Sequence, residues 1–343
     1  MKSPAENNLV SPLAPVQDIH FISRQLLVPD PGFRGLILHI DGPLNVKALE
    51  SAVVGLTHKH PALRMTIRNR EGRVQMAVEP PLVATDLIEY IDAQGTPKAQ
   101  RVDVIQSIHL KRAKNFDIAV MQHQAWTLFT WTPTEHALLL SMHHIFYDGV
   151  SWLNLLPQDF CAFYERALRG DTSAPPVENR MAYFDYVQRQ RQRHTPERLV
   201  EHLDFWRRYL GGANFSLNLT TDYPIKAQQT YQTREHHHTF SEELTARARA
   251  LAETAGEPSR VHDVFFVAMM ATLSKFTHQK DLTCGFPVHG RTRQDSDIFG
   301  CFVNTIPRRL RLSADSTFIE LVQKAGRDRR SLKDHQHIAL ASI

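Results

Sequence analysis

The order of apolar and polar positions along the first part of the chain predicts alternating strands and a helix. In NVKALESAVVGLTHKHPALR, apolar residues recur at steps of three and four, the spacing of one helix face, and Asn45 stands where a cap would begin the helix. The preceding RGLILHIDG predicts a strand ending in a turn, and the following RMTIRNREGRVQMAV predicts a hairpin. WTLFTWTPTEHALLLSMHH predicts a second strand–turn–strand unit.

A helix followed by a polar segment closes this first part. SWLNLLPQDFCAFYERALRG carries a helical apolar stripe that ends at Gly170, and Pro157 inside it predicts a kink or a delayed helix start. The next segment, DTSAPPVENR at 171–180, is polar, rich in proline and without periodicity. We therefore predict a domain boundary there, with an N-terminal lobe at 1–175 and a C-terminal lobe at 176–343.

The second part repeats the mixture of elements without repeating the sequence. Helices are predicted in TPERLVEHLDFWRRYLGG, SEELTARARALAETAG, SRVHDVFFVAMMATLSKFT and STFIELVQKAGRDRRSLKDH, and strands in LTCGFPV and FVNTIPRRLRL. The third of these helices is nearly all apolar, so we expect it to be buried. The pattern as a whole predicts an α/β protein made of two α+β sandwich lobes that meet at a cleft.

Length, charge and cysteine usage narrow the class of protein. The 343 residues exceed what one core usually supports, and the 42% hydrophobic content is enough for two. No apolar run reaches the roughly 18 to 20 residues that span a bilayer, and the start has no signal pattern, so we expect a cytoplasmic protein without membrane contact. The net charge of +4 is a mild basic bias, and the chain lacks the dense basic patch that nucleic-acid-binding proteins carry.

The three cysteines indicate neither a metal site nor a redox pair. Cys161, Cys284 and Cys301 are too widely spaced for a zinc knuckle or redox pair and are expected to be reduced, buried thiols.

Two basic clusters, at 187–194 and 326–333, are the densest concentrations of positive charge. Solvated helix faces explain such clusters in most proteins, and docking of an acidic partner protein is the alternative.

The candidate chemistry lies in SMHHIFYDGVSW at 141–152. Side chains alternate between faces along a strand, so His143 and His144 cannot both face one site, and one of them is expected to support the other. An imidazole with a pKa of about 6.5 can act as a base, or can orient a nucleophile and stabilise a tetrahedral intermediate. Asp148 is expected to hold the loop through an arginine, and Gly149 to allow a tight or left-handed turn. No third ligand stands at metal-binding spacing, so no metal site is expected.

The motif HHIFYDG resembles the HHxxxDG signature of the condensation domains of nonribosomal peptide synthetases, a branch of the chloramphenicol acetyltransferase-like superfamily. Further blocks resemble the family in the family's order, from about Ser11 to the last predicted helix. They are LAPVQDIHFI, LTHKHPALRMTI, LDFWRRYLGG, SRVHDVFFVAMMATL, GFPVHGRTR and FGCFVNTIPRRL.

The resemblance implies two acetyltransferase-like lobes in a V-shaped pseudodimer with a tunnel between them. Donor and acceptor carrier proteins would dock at its mouths and deliver substrates as thioesters on 4′-phosphopantetheine arms, with no cofactor bound to the domain itself. An acceptor amine would then attack the donor thioester and form an amide. Neighbouring synthetase or polyketide synthase domains would be further partners.

The resemblance also implies roles for single residues. His144 corresponds to the catalytic base or positioning group, His143 to a structural residue and Asp148 to the carboxylate that holds the loop. For the carboxylate's partner the resemblance offers Arg64 of HPALR and Arg291 of HGR, and it places a further residue, Asn304 of FVNT, in the tunnel wall. A purely structural role, in which these last three residues hold the lobes together, is the alternative for each.

Other interpretations remain open from the sequence. DGVSW also occurs in epimerization domains, but those resemble GWFT where this chain reads GCFVNT, which favours condensation. The chain stops at DHQHIALASI, where the family continues, so we expect a C-terminally shortened domain. Ester formation with an alcohol, transfer from free coenzyme A and a non-catalytic docking module are the alternatives, and the sequence does not identify the substrates.

Overall fold

The computed structural model describes residues 10–26, 32–121, 125–173, 182–224 and 236–343. The chain divides into two compact units, Met1–Arg193 with Arg291–Val303, and His194–Gly290 with Asn304–Ile343. The boundary predicted at 175 falls within 174–181, outside the described residues, and the division lies later, after Arg193. The reason is that Tyr183 and Phe184, just beyond the predicted boundary, are buried in the core of the first unit.

The first unit contains seven strands and six helices among its described residues. In chain order they are β1 (Val10–Pro12), α1 (Pro15–Leu26), β2 (Phe33–Asp41), α2 (Val46–Lys59), β3 (Met65–Arg70), β4 (Arg73–Val78), α3 (Ala84–Leu87), β5 (Ile88–Asp92), α4 (Arg101–Lys114), β6 (Trp126–Thr132), β7 (Glu135–His143), α5 (Leu156–Leu168) and α6 (Ala182–Arg193). The predicted cap of α2 is confirmed, because the Asn45 side chain accepts a hydrogen bond from the backbone N–H of Ala48 at 3.0 Å.

A four-stranded sheet in the order β2-β7-β6-β5 forms the centre of the first unit. Strand β7 pairs antiparallel with β2 and β6, and β5 pairs parallel with β6. Alternate residues of β7 enter different cores: Leu138 and Leu140 join the larger cluster, whereas Leu139 packs with Ile105 of α4 on the other face. Strand β7 is therefore buried on both faces and fixes the position of the motif that follows it. A smaller antiparallel sheet, in the order β1-β4-β3, contains the predicted hairpin.

Pro157 delays the start of helix α5, as predicted. A π-helical turn covers Ser151–Leu155, and the regular helix begins only at Leu156. Proline lacks a backbone N–H, so it is tolerated in the first turn of a helix but not in the interior.

The second unit contains four helices and two strands among its described residues: α7 (Pro196–Leu210), α8 (Glu242–Ala255), α9 (Val261–Thr277), β8 (Asp281–His289), β9 (Val303–Arg311) and α10 (Phe318–Leu332). The two strands form one sheet. Apolar residues of α8, α9 and α10 pack with Leu282 and Leu310 of the strands. Trp206 of α7 packs in a separate cluster with Ile306 and Leu332.

The prediction that α9 is buried holds for only one side of the helix. Val267 and Met270 are fully buried, but Met269 is 46% and Phe276 69% exposed. An apolar composition predicts burial only where neighbouring elements cover the whole circumference, and among the described residues only one side of α9 is covered. None of the described helices is long and apolar enough to cross a membrane.

Candidate active site

The HHIFYDG motif forms a tight loop at the end of strand β7. The strand ends at His143, a short 3₁₀ turn covers His144–Phe146, and the next helical turn follows Asp148. Gln17 of α1 fixes this loop, because its Nε2 donates to the carbonyl oxygen of Ile145 at 2.7 Å and its Oε1 accepts from the N–H of Ala14 at 2.8 Å. Gln17 was not predicted from the sequence, because a fully buried glutamine beside an apolar helix face has no periodic signal of its own.

His143 is completely buried and bonds to its own loop. Its Nδ1 accepts a hydrogen bond from the N–H of Ile145 at 3.1 Å, and its ring stacks on Phe116 with 5.5 Å between centroids. These contacts fix the shape of the turn on which the next residue lies.

His144 lies in different surroundings, half-buried in a row of stacked rings. Its ring lies 4.8 Å from that of His20 and 4.9 Å from that of Tyr147, and Tyr147 in turn stacks on Trp152 at 4.0 Å. Its backbone N–H donates to the carbonyl oxygen of Gly32 at 2.8 Å. Its Nδ1 is buried and has no hydrogen-bond partner within the described ranges. A substrate would therefore have to meet the other ring nitrogen, Nε2.

The surroundings of His144 favour its neutral form. Burial lowers the pKa of this imidazole below its ordinary value of 6.5, and the charges of His143 and Arg34 act in the same direction. A contact between the ring and the backbone of the same residue raises the pKa of His144, and so does the negative charge of Asp148. Together they raise this pKa by less than burial and the two positive charges lower it. A neutral imidazole keeps a lone pair and can accept a proton at neutral pH.

We expect the ring of His144 to titrate with a midpoint below 6.5 in the folded protein. NMR of histidine-labelled protein checks this, with the same residue in urea-unfolded protein as the reference. Because the unfolded chain binds the proton at higher pH, the stability contributed by the neutral ring is fully present above 6.5 and is lost as pH falls from 6.5 through the lower midpoint of the folded protein. A folded-state midpoint at or above the unfolded one would contradict the expectation.

Asp148 is held by a buried, two-pronged ion pair with Arg291. Its Oδ1 accepts from Nη2 at 2.8 Å and its Oδ2 from Nε at 3.1 Å. The two side chains are only 2% and 4% exposed. Oδ1 also accepts from the backbone N–H and the hydroxyl of Ser151, both at 2.9 Å, and Oδ2 from the N–H of Phe302 at 3.3 Å. This network ties the motif to the segment Arg291–Val303. Each carboxylate oxygen of Asp148 accepts at least two hydrogen bonds.

Arg291 is thus the partner of Asp148, and Arg64, the other candidate, is not. The Nε of Arg64 donates to the carbonyl oxygen of Thr57 at 2.7 Å, and its Nη1 donates to the carbonyl oxygen of Glu79. Sequence spacing could not choose between two arginines that lie far from Asp148 along the chain.

Asn304 belongs to the second unit and is buried there. Its Nδ2 donates to the carbonyl oxygens of Gln336 at 2.8 Å and Ile338 at 2.7 Å, and its Oδ1 accepts from the N–H of Thr305 at 2.9 Å. These bonds fasten the segment after α10 to strand β9. The contacts are those of a structural support; a role in lining a tunnel stays a prediction.

The expectation that Gly149 is needed for a tight or left-handed turn is wrong. Its φ lies outside the left-handed region, and a Cβ placed there would meet nothing within 4 Å. A Cβ on Gly300, by contrast, would lie 2.3 Å and 2.4 Å from ring atoms of Tyr183. That ring cannot swing away easily, because it is buried and its hydroxyl donates to the carbonyl oxygen of Cys301 at 2.6 Å.

We expect Gly300→Ala to lower the free energy of unfolding by about 1–3 kcal/mol, the usual cost of overpacking. The matched control, Gly149→Ala, should change it by no more than about 0.5 kcal/mol. Urea titration of both variants measures the difference. Equal effects of the two substitutions would show that the space around Gly300 relaxes freely.

Two further residues meet His144 that the sequence analysis did not connect with it. One ring nitrogen each of His20 and His144 and the Sγ of Cys301 all lie within 4.8 Å of one another. The three positions are far apart along the chain, so ligand spacing could not indicate this cluster. Cys301 is a buried thiol, as expected, but Cys284 is only partly buried and Cys161 is exposed, so the expectation of three buried thiols is wrong.

Comparison with known proteins identifies the family. Over residues 10–343 the chain matches the family described as Condensation domain. A subunit of linear gramicidin synthase from Brevibacillus parabrevis is 28% identical over 338 residues, and surfactin synthase subunit 1 of Bacillus subtilis (strain 168) is 30% identical over 346 residues. These alignments cover 97% and 99% of this chain but only 4% and 9% of the two relatives. The chain thus spans less than a tenth of the length of these relatives.

Solved structures agree on the fold. The X-domain from teicoplanin biosynthesis superposes with a TM-score of 0.80 at 20% identity, covering 99% of this chain and 73% of that one. The first condensation domain of the calcium-dependent antibiotic synthetase, in complex with a substrate analogue, gives 0.75 at 22% identity and covers 96% and 76%. The epimerization domain from the third module of tyrocidine synthetase B gives 0.79 at 17% identity and covers 98% and 76%. At these identities the likeness shows the fold alone.

The predicted α/β fold is confirmed as the fold of these solved domains, a condensation domain among them. The family match begins at residue 10, close to the first described strand, and runs to the last residue. This chain therefore belongs to the condensation domain family of nonribosomal peptide synthetases.

Proposed function

We propose that this chain is an acyltransferase that joins an acyl thioester on one carrier protein to an amine on a second carrier protein, forming an amide. Both substrates would arrive on 4′-phosphopantetheine arms, which supply the thioester sulfur.

The observation that carries the proposal is the state of His144. Its imidazole is half-buried and its pKa is lowered by burial. The Asp148–Arg291 ion pair and the Gln17 bonds hold the loop on which it lies. A neutral imidazole on a rigid loop is what a general base or a positioning group for a nucleophile requires.

The reaction balances with one imidazole. The acceptor nitrogen attacks the thioester carbonyl carbon, the new C–N bond forms, and the nitrogen gives a proton to His144. The tetrahedral intermediate then collapses, the C–S bond breaks, and the protonated His144 gives this proton to the leaving thiolate, which regenerates the neutral imidazole. Used as a positioning group instead, His144 would bind the amine N–H and steady the intermediate without removing the proton itself.

Product mass distinguishes the proposal from its enzymatic alternatives. The chain is mixed with a donor carrier bearing an acyl thioester and an acceptor carrier bearing an aminoacyl thioester, and the acceptor arm is analysed by mass spectrometry. The proposal expects the acyl group on the acceptor nitrogen. A hydroxyacyl acceptor that is converted while the aminoacyl one is not would show ester formation instead, and turnover of acyl-coenzyme A without any carrier would show transfer from the free thioester.

A docking module without catalysis is the second candidate, and one comparison favours it. The X-domain from teicoplanin biosynthesis, which has been solved in complex with OxyB, superposes on this chain with a TM-score of 0.78 at 21% identity. A docking module would bind carrier or partner proteins without forming any amide. Carrier binding measured by calorimetry, with no product under the conditions above, would support this second candidate.

A further inference from the structure

Three side chains from distant parts of the chain offer soft ligand atoms around one point. His20 lies on α1, His144 follows β7, and Cys301 lies in the segment Arg291–Val303; their ligand atoms are all within 4.8 Å of one another. Imidazole nitrogen and thiolate sulfur are the ligands that zinc and similar ions prefer. The nearby carboxylate of Asp148 is already committed to Arg291, so the ligand set is two imidazoles and one thiolate.

We propose that His20, His144 and Cys301 form a binding site for a zinc-class divalent cation, and that occupation of this site prevents His144 from acting on substrate. The binding is independent of the proposed function, whereas the inhibition rests on it.

A second observation points to a ligand here. The Nδ1 of His144 is buried and lacks a hydrogen-bond partner among the residues that the structure describes. A buried polar atom without a partner costs free energy, and coordination of an ion at Nδ1 would give this atom a partner. Three protein ligands would leave a fourth position of the ion for water.

Binding requires a defined rearrangement. Zinc bonds of about 2.0–2.1 Å to nitrogen and 2.3 Å to sulfur place tetrahedral ligand atoms roughly 3.5 Å apart, so the cluster must contract by about 1 Å. The rings of His20 and His144 are stacked with 17° between their planes, and the in-plane lone pairs of stacked rings do not meet at one ion. His20 therefore turns out of the stack, while His144 keeps its contact with Tyr147.

Coordination removes the base whichever nitrogen of His144 binds. A neutral imidazole has one lone pair, and its other nitrogen carries the proton. An ion on Nε2 takes that lone pair directly, and an ion on Nδ1 leaves Nε2 protonated. The Cys301 thiol loses its proton to solvent when the sulfur–metal bond forms, so one proton is released for each ion bound.

Cobalt is the probe for the site, because a bound thiolate gives Co²⁺ a ligand-to-metal charge-transfer band. The full chain, prepared free of metal and with thiols reduced, is titrated with Co²⁺ and then with Zn²⁺. The expected result is one Co²⁺ per chain with the thiolate band, and displacement by Zn²⁺. Absence of the band in the wild-type chain would overturn the proposal.

Three variants assign the ligands. Cys301→Ala should abolish the band and weaken Co²⁺ binding by at least about 100-fold. Loss of a side chain that only hydrogen-bonds to a metal ligand already weakens binding by up to about 100-fold, and loss of the ligand itself should cost more. His20→Phe keeps an aromatic ring for the stack with His144 and should also weaken binding. Cys161→Ala, at an exposed cysteine, is the matched control and should change nothing. A band that persists in Cys301→Ala contradicts the site.

The inhibition is tested separately in the carrier assay. Zn²⁺ should suppress amide formation by the wild-type chain but not by Cys301→Ala, which keeps His144 and its loop. Unchanged amide formation by chain shown to hold Zn²⁺ would refute the inhibition. If no amide forms even without metal, the proposed function fails while the cobalt result still decides the site.

Discussion

Replacing His144 with alanine is expected to lower the rate of amide formation by about 10²- to 10⁴-fold, the range that general acid–base catalysis contributes. The chain should stay folded, because the substitution removes one ring from the stacked row, at a cost of about 0.5–1.5 kcal/mol for each ring pair that it breaks. The measurement is the initial rate of product appearance on the acceptor carrier, with thermal unfolding followed on the same sample.

The control for this substitution is His39→Ala, an exposed histidine on strand β2 of the same sheet. It should leave both rate and stability unchanged. A loss of rate that falls on kcat, with KM little changed, would indicate that His144 acts in the transition state rather than in substrate binding. A rate for His144→Ala within twofold of wild type would remove the basis of the proposed mechanism, because amide formation would then not depend on this imidazole.

Breaking the Asp148–Arg291 ion pair is expected to have the largest effect on stability. Either Asp148→Ala or Arg291→Ala leaves an unpaired charge in a site that is almost wholly buried, which typically costs about 3–5 kcal/mol. Urea unfolding of each variant measures the loss. Because the pair also holds the loop of His144, amide formation should fall as well, even at temperatures where the variant is still folded.

Two comparisons sharpen this prediction. Arg169→Ala breaks an exposed pair in the same unit, with Arg169 76% and Glu165 64% exposed, and should change stability too little to measure. The double variant Asp148→Ala with Arg291→Ala should cost less than the sum of the single variants, because no unpaired charge remains. If the loss of stability in the double variant equalled the sum of the two single losses, the interaction between Asp148 and Arg291 would contribute nothing to stability.

Elements with a strong period were predictable from the sequence. Helix α2, the hairpin β3–β4 and the pair β6–β7 follow directly from apolar spacing and turn residues, because each buries one face in a way that local sequence records. Asn45 also acts as a cap, as predicted, and Thr195 and Ser241 cap helices α7 and α8 in the same way. These features depend on contacts within a few residues.

Elements with weak or masked periodicity were not predicted. Helix α4 is polar over most of its surface, and Ile105 is its one buried residue. The basic cluster at 187–194 belongs to α6, and its arginines are not simply solvated: Arg189 pairs with Asp295, and Arg191 donates to the carbonyl oxygen of Leu13. Such roles depend on which distant residues come near, and charge composition carries no record of that.

The site was predictable in its motif but not in its partners. The pattern HHIFYDG and strand geometry indicated that the two imidazoles would lie in different surroundings, and the resemblance offered Arg291 as one of two partners for Asp148. Gln17, Ser151 and Cys301 were missed. Each is brought to the loop only by tertiary packing, over separations that neither helical nor strand periodicity spans.

The first compact unit is discontinuous in sequence, since Arg291–Val303 belongs to it although the second unit lies between. A gene fragment ending after Arg193 would therefore encode Asp148 without its countercharge. Such a truncated polypeptide should fold poorly or aggregate, whereas a chimera that appends residues 291–303 through a flexible linker restores the missing arginine. Recombination between related synthetases at position 193 alone would likewise combine the motif of one parent with the segment 291–303, and so the arginine, of the other.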